Sequence, residues 1–271
     1  MDNNSLKIHA KSIRTNILKM IAKAGSGHPG GSLSVADILT VLYFEKMNID
    51  PQNPQMENRD RLVLSKGHAA PAVYATLCER GYVCSTEMES LRQVNSMLQG
   101  HPDMKGTPGV DMSTGSLGQG LSAAVGMAMS SKYQELDYYV YAILGDGECQ
   151  EGQIWEAAMA GAHYKLNNLI AFLDNNGLQI DGKNCDVMGV DPLDEKFKAF
   201  GWNVITIDGH NFEEISKAVD AAKTVTDKPS IIIAKTAKGK GVSFMENQAG
   251  WHGVAPTAEE LSKALDEIER G

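Results

Sequence analysis

Five short apolar runs recur along the chain, and helix-like stretches separate most of them. They are Arg61-Leu-Val-Leu64, Tyr139-Val-Tyr-Ala-Ile-Leu144, Leu169-Ile-Ala-Phe-Leu173, Val204-Ile-Thr-Ile207 and Ile231-Ile-Ile-Ala234. All are rich in Val, Ile and Leu and apolar on both faces, as strands buried in a parallel sheet must be. Gln153 to Tyr164 and Glu213 to Thr224 lie between runs and read as helices. The alternation predicts an α/β fold: a doubly wound, mostly parallel sheet with helices on both faces. Upstream, Ile13, Ile17, Met20 and Ile21 keep helical spacing, so a helix is expected over Ser5 to Ala24. The glycine-rich turn Gly25-Ser-Gly-His-Pro-Gly-Gly31 ends it, and Ser34 is placed to cap a second helix, Val35 to Phe44. No repeat, low-complexity block or Ser/Pro-rich linker divides the chain, so residues 1–271 read as one domain.

The residues just after each run narrow the chemistry. The five are succeeded by Ser65-Lys-Gly-His68, Gly145-Asp-Gly147, Asp174-Asn-Asn176, Asp208-Gly-His210 and Lys235-Thr236. Open α/β sheets bind ligands at the carboxyl ends of their strands. Every strand here ends in groups able to hold a phosphate or a metal. The glycines, 27 of 271 residues and clustered at these turns, let backbone come close to a ligand.

Composition removes several classes. With 34 acidic against 25 basic residues the net charge is −9, which disfavours non-specific nucleic-acid binding. Cys78, Cys84, Cys149 and Cys185 form no CxxC pair, so neither a disulfide framework nor a zinc site is indicated. No run reaches the ~18 apolar residues of a membrane span. Met1 to Lys11 has no apolar signal-peptide core, and a cytoplasmic location is expected.

In Gly145-Asp-Gly147, backbone N–H groups can approach an anion at a helix start. The Asp146 carboxylate repels a phosphate but can hold a divalent cation that in turn holds the phosphate. Mg2+, hard and octahedral, suits that role. Taken alone, the motif is more often a plain tight turn. Asn175-Asn176 changes that reading: residues 148–174 leave room for one helix and the next strand, which sets both turns side by side. An Asn amide oxygen adds a hard, neutral ligand.

Gly-Asp-Gly, about thirty residues, then Asn-Asn resembles the diphosphate-binding motif of thiamine diphosphate enzymes. More specifically, the chain resembles the transketolase family. The likeness is carried by Ser26-Gly-His-Pro-Gly-Gly-Ser32, Leu64-Ser-Lys-Gly-His-Ala69, Gly100-His-Pro102, Gly115-Ser-Leu-Gly-Gln-Gly120, Gly145-Asp-Gly-Glu-Cys-Gln-Glu-Gly152 and Trp251-His-Gly253. It runs from about residue 10 to residue 256 and departs at Ser116, where many relatives carry Pro.

The resemblance implies roles. Asp146 and Asn176 would hold Mg2+ (or Ca2+ or Mn2+) by their side chains, and Leu178 by its carbonyl. Gly147, His68 and His252 would contact the diphosphate; Gly115, Ser116 and Leu117 would line the thiamine rings. His28 and His101 would face the reacting carbon and the sugar hydroxyls. Glu151 and Glu156 match acids at the subunit contact that communicate with the cofactor. The implied reaction moves a two-carbon ketol unit from a ketose (phosphate) to an aldose (phosphate). Proton movement to and from alkoxides suits neutral histidines near pH 7. His9, His163 and His210 read as structural or solvated, although Asp208-Gly-His210 sits on the ligand edge; Lys66, Lys235, Lys238 and Lys240 could offset a ligand's charge, but a Lys run is usually a solvated face, and no role is assigned to them.

Nothing matches the family's pyrimidine-binding or C-terminal domain. The chain resembles the diphosphate-binding half, the N-terminal subunit of a split transketolase, and an engineered fragment would look similar. A separate pyrimidine-domain subunit is expected as partner, with two copies of each chain. Two alternatives stay open: half of another thiamine diphosphate enzyme, such as a 1-deoxyxylulose-5-phosphate synthase-like synthase, and a non-catalytic paralogue. After Trp251-His-Gly253, Thr257 and Glu260 form a capping box for a final helix, Ala258 to Glu269.

Overall fold

The computed structural model describes residues 1–271. Its sheet contains β1 (Arg61–Leu64), β2 (Val140–Gly145), β3 (Leu169–Asn175), β6 (Asn203–Asp208) and β7 (Ser230–Lys235). A small antiparallel hairpin, β4 (Leu178–Gln179) and β5 (Gly182–Lys183), stands apart. The main sheet runs in the order β1-β2-β3-β7-β6, and every pairing is parallel. The register sets Gly145 beside Asp174, and Asp174 beside Ala234. The polar ends of three central strands therefore meet at one edge.

The helices are α1 (Asn3–Ala24), α2 (Pro29–Leu33), α3 (Ala36–Val41), α4 (Ala70–Arg80), α5 (Gln119–Tyr133), α6 (Gly152–His163), the one-turn α7 (Asn184–Val187), α8 (Leu193–Ala199), α9 (Phe212–Lys223) and α10 (Ala258–Arg270). Alternate strand residues feed two cores, which is why the runs are apolar throughout. Leu62, Leu64, Tyr141, Ile143, Ile170 and Phe172 pack toward α1, α3, α4, α9 and α10. Val63, Val140, Ala142, Leu144, Ala171 and Leu173 pack toward α5, α6 and α8. The doubly wound reading holds, and each strand lies within a residue or two of its expected place.

Three expectations need correction. Ser34 is not the N-cap of the second helix: it closes α2 as its C-cap, and its buried hydroxyl donates to Asp174 Oδ2 at 2.7 Å. Pro29, suited to a first helical turn, starts α2 earlier instead. The expected Val35–Phe44 helix becomes α3 followed by a π-helical turn, Leu42–Lys46. The fourth run is not buried on both faces, since β6 closes the sheet at its edge with Thr206 exposed. No helix is long and apolar enough to cross a membrane.

Candidate active site

A cavity of about 250 Å³ opens at the carboxyl ends of β1, β2 and β3. A larger groove of about 560 Å³ lies between α1, residues 85–89 and the start of α10, and holds none of the strand-end groups. Chemistry, not size, selects the first.

Its floor is Asp174, the last buried residue of β3. Lys66 Nζ donates to Asp174 Oδ2 at 2.5 Å, Ser34 Oγ at 2.7 Å and Asn176 Nδ2 at 2.9 Å; Thr236 Oγ1 donates to the other oxygen. Burial alone would raise this carboxyl, but the Lys66 ammonium and the donors outweigh it and hold it below the usual range. Lys66 is itself buried, and its ammonium also donates to the Gly31 carbonyl at 2.9 Å. Gly31 leaves room for that contact: a Cβ there would lie 3.3 Å from His68 Nε2 and 3.4 Å from Lys66 Nζ.

Oxygen donors occupy one side. Asp146 accepts from Gly147 N at 2.8 Å and Gly177 N at 2.6 Å, which leaves lone pairs on both oxygens. Burial and then the charge of Asp174 push its carboxyl upward, as befits an anion without a cation beside it. Asn176 turns its amide nitrogen to Asp174, which points Oδ1 away toward Leu178 N at 3.1 Å. The Leu178 carbonyl accepts from Lys238 Nζ at 3.2 Å. No three His, Cys, Asp or Glu side chains are placed to hold a metal ion together, and Asp146 is the carboxylate beside the Asn176 and Leu178 oxygens.

Imidazoles and ammoniums occupy the other side. His28, His68 and His252 form a triangle with ring centroids 5.1 to 5.4 Å apart. Burial first, then neighbouring cations, depress all three: His28 to about 4, His252 to about 3, and His68 well below its ordinary value. They are neutral at working pH. Lys238 Nζ lies 2.8 Å from His252 Nδ1, and an ammonium only donates, so His252 carries its proton on Nε2. Burial and Lys66 pull Lys238 down to about 8.

The remaining sequence candidates sit at the rim. Leu117 and Glu151 line the cavity mouth, whereas Gly115, Ser116, His101 and Glu156 do not line it. His101 is exposed and packs against Gly115, where a Cβ would lie 3.3 Å from its ring. Glu156 faces outward from α6. The structure thus gathers His68, Asp146, Gly147, Asn176, Leu178 and His252 around the cavity with His28 beside the two histidines, and leaves Gly115, Ser116, His101 and Glu156 off its lining.

Sequence reading missed four groups. Lys66 and Lys238 belong to the cleft and not to a solvated face; each is flanked by Gly just after a strand, which was the available signal. Asp174 stood among the strand-end groups with no role of its own. Arg92, at 3.5 Å from His28 Nδ1, sits in a segment with no pattern of its own. Two strand ends do not reach the cavity: His210 turns behind it, and Lys235 Nζ bonds to Asn175 Oδ1 outside it.

A parallel, doubly wound sheet whose strand ends set oxygen donors opposite ammonium and imidazole groups defines an α/β domain with a polar cleft at its carboxyl edge. Residues 5–268 match the family model described as transketolase, thiamine diphosphate binding domain. The chain belongs to the transketolase family. It is 49% identical to a 6-deoxy-6-sulfo-D-fructose transketolase subunit of Clostridium sp. (strain MSTE9), covering 98% of this chain and 96% of that one. It is 42% identical to an apulose-4-phosphate transketolase subunit of Phocaeicola vulgatus, covering 99% and 95%. The crystal structure of Campylobacter jejuni transketolase superimposes with a TM-score of 0.94 at 38% identity. There the match covers 99% of this chain but only 43% of the longer one.

Proposed function

We propose that this chain is the thiamine diphosphate-binding subunit of a two-component transketolase. It transfers a two-carbon ketol unit from a ketose (phosphate) to an aldose (phosphate), together with a separate pyrimidine-domain subunit, two copies of each. One observation carries the reading. Asp146, Asn176 and the Leu178 carbonyl face Lys238, His68 and His252 across a single cavity, in a chain that spans nearly the whole of two relatives named as subunits. Four unpaired cysteines suit a reducing, cytoplasmic setting.

The residues fit a Mg2+–diphosphate. Asp146, Asn176 and Leu178 would hold the cation, and Ca2+ or Mn2+ would suit the same hard oxygens. His68, His252, Lys238 and the Gly147 N–H would hold diphosphate oxygens, and Gly115, Ser116 and Leu117 would line the rings. When bound, the cofactor supplies an electron sink for the carbanion that ketol transfer requires. This chain's part is binding, orientation and proton movement. His28 and His101 would give and take protons at substrate hydroxyls, and the low pKa of His28 keeps it neutral for that task. Glu151 and Glu156 would meet the neighbouring subunit.

Its two subunit relatives are named for a sulfonated and a phosphorylated sugar. Only their shared chemistry is carried over: a sugar with an anionic end. A coupled assay for ketol transfer, run on either component by itself and on the mixture, tests the proposal. Activity is expected only in the mixture. Full turnover by this chain alone would refute the two-component reading.

A further inference from the structure

His210 follows β6 on the ligand edge of the sheet, yet it lines no part of the cavity. Its ring closes a run of polar contacts behind the cavity wall. Arg14 on α1 grips Asp37 on α3 twice, Nη1 to Oδ1 at 2.8 Å and Nη2 to Oδ2 at 2.6 Å. Asp37 Oδ2 lies 2.8 Å from His210 Nδ1. On the far side of the ring, the Ala237 backbone N–H donates to His210 Nε2 at 2.8 Å. A ring nitrogen that accepts carries no proton, so the proton sits on Nδ1 and points at Asp37. The Arg14–Asp37 pair therefore fixes both the tautomer and the ring plane.

Ala237 immediately precedes Lys238. The backbone on either side is already tied down. Thr236 bonds to Asp174 through its side chain and to the Asn175 carbonyl at 3.3 Å, and Gly239 N donates to the Gly30 carbonyl at 3.0 Å. Between those ties, Ala237 N–H has His210 as its acceptor. Segment 208–210 presses close here: a Cβ on Gly209 would lie 2.5 Å from Thr236 Cγ2. The Lys238 carbonyl accepts from Asn247 N at 2.8 Å, so without the His210 acceptor it is the Thr236–Ala237 peptide, just ahead of Lys238, that loses its partner and can turn. Lys238 would then leave His252 and the Leu178 carbonyl.

We infer that His210 is a positioning residue: oriented by Arg14 and Asp37, it sets the Ala237–Lys238 backbone so that the Lys238 ammonium faces the cavity. The consequence for ligand binding rests on the proposed function; the effect on the backbone does not.

Two substitutions separate the ring's two contacts. In His210→Gln the amide oxygen reaches the place of Nε2 and keeps the Ala237 bond. In His210→Asn the amide reaches only the place of Nδ1 and keeps the Asp37 bond. Hydrogen–deuterium exchange of residues 236–241 in the full chain is the first measurement, with α4 as internal reference. His210→Asn is expected to speed exchange there about tenfold or more, and His210→Gln to stay within about twofold of wild type. The second measurement titrates Mg2+–thiamine diphosphate into the complex with the pyrimidine-domain subunit. Affinity should fall about tenfold or more in His210→Asn and hold in His210→Gln.

The reverse order, with Gln worse than Asn, would show that the Asp37 contact alone matters and would overturn the inference. So would equal losses in both variants that track their thermal midpoints. Wild type failing to bind Mg2+–thiamine diphosphate would sink the cofactor reading, and the exchange result would still decide the role of His210.

Discussion

Asp146 and His101 test different halves of the chemistry. Asp146 is a buried carboxylate at a strand end, outside the apolar core, so Asp146→Ala should abolish Mg2+-dependent cofactor binding with little effect on unfolding. His101 packs on Gly115 at the rim, so His101→Ala should lower kcat by roughly 10²–10⁴ and leave cofactor affinity nearly unchanged. Calorimetric titration and turnover on the reconstituted complex would read both, and swapped phenotypes would reverse the assignments. The histidine triangle also predicts a pH dependence. Folded His28 and His252 titrate near 4 and 3, against about 6.5 when unfolded. Between those values the unfolded chain binds more protons, so stability present above pH 6.5 is lost as pH falls toward 4. Burial shifts Asp146 and Glu148 upward and they act with the opposite sign, so the histidine share is read from the difference between variant and wild type. Urea unfolding at pH 5.5 and 7 should show a smaller pH loss in a His28→Asn/His252→Asn variant, and an unchanged slope would contradict it. The histidines, Asp146 and Asn176 were legible because glycine and strand ends mark them. Lys238 was not, because burial of an ammonium depends on partners distant in sequence, His252 14 residues on and the Leu178 carbonyl 60 residues back.

Helix ends were read most accurately where side chain and backbone satisfy each other locally. Thr257 Oγ1 accepts from Glu260 N, and the Glu260 carboxylate accepts from Thr257 N at 2.8 Å, the expected capping box. Thr257→Ala should cost about 1 kcal/mol, seen as a lower denaturant midpoint, because the cap satisfies the first turn of a helix that buries few residues of its own, Ala264 and Ile268. A variant matching wild type would mean that α10 frays without consequence. The residue 34–46 region was read poorly for the opposite reason. Ser34 has a cap's chemistry, but its hydroxyl serves a carboxylate 140 residues downstream. Local pattern cannot report a distant partner. The same limit hid the turn of His210 away from the cavity.

At the scale of the molecule, large apolar side chains stand exposed on α5, on α6 and at the residue that ends α6. Tyr133 is 91% exposed, Met159 58% and Tyr164 53%, an unusual outward load for paired helices. We expect a second copy of the chain and the pyrimidine-domain subunit to cover it, in an assembly with two-fold symmetry. Sedimentation of the mixture should give two copies of each chain, and a one-to-one heterodimer would contradict it. Sheet class was legible from the runs alone; strand order was not, since five similar apolar strands carry no mark of their neighbours. That order has a consequence for how the protein is made. The last strand, β7, is inserted between β3 and β6, so during synthesis the edge of β3 stays open until residue 235 emerges. Thr236, which completes the donors around Asp174, arrives in the same moment, and Lys238 directly after it. The donors around Asp174 and the Lys238 ammonium are therefore complete only once β7 has entered the sheet between strands made before it.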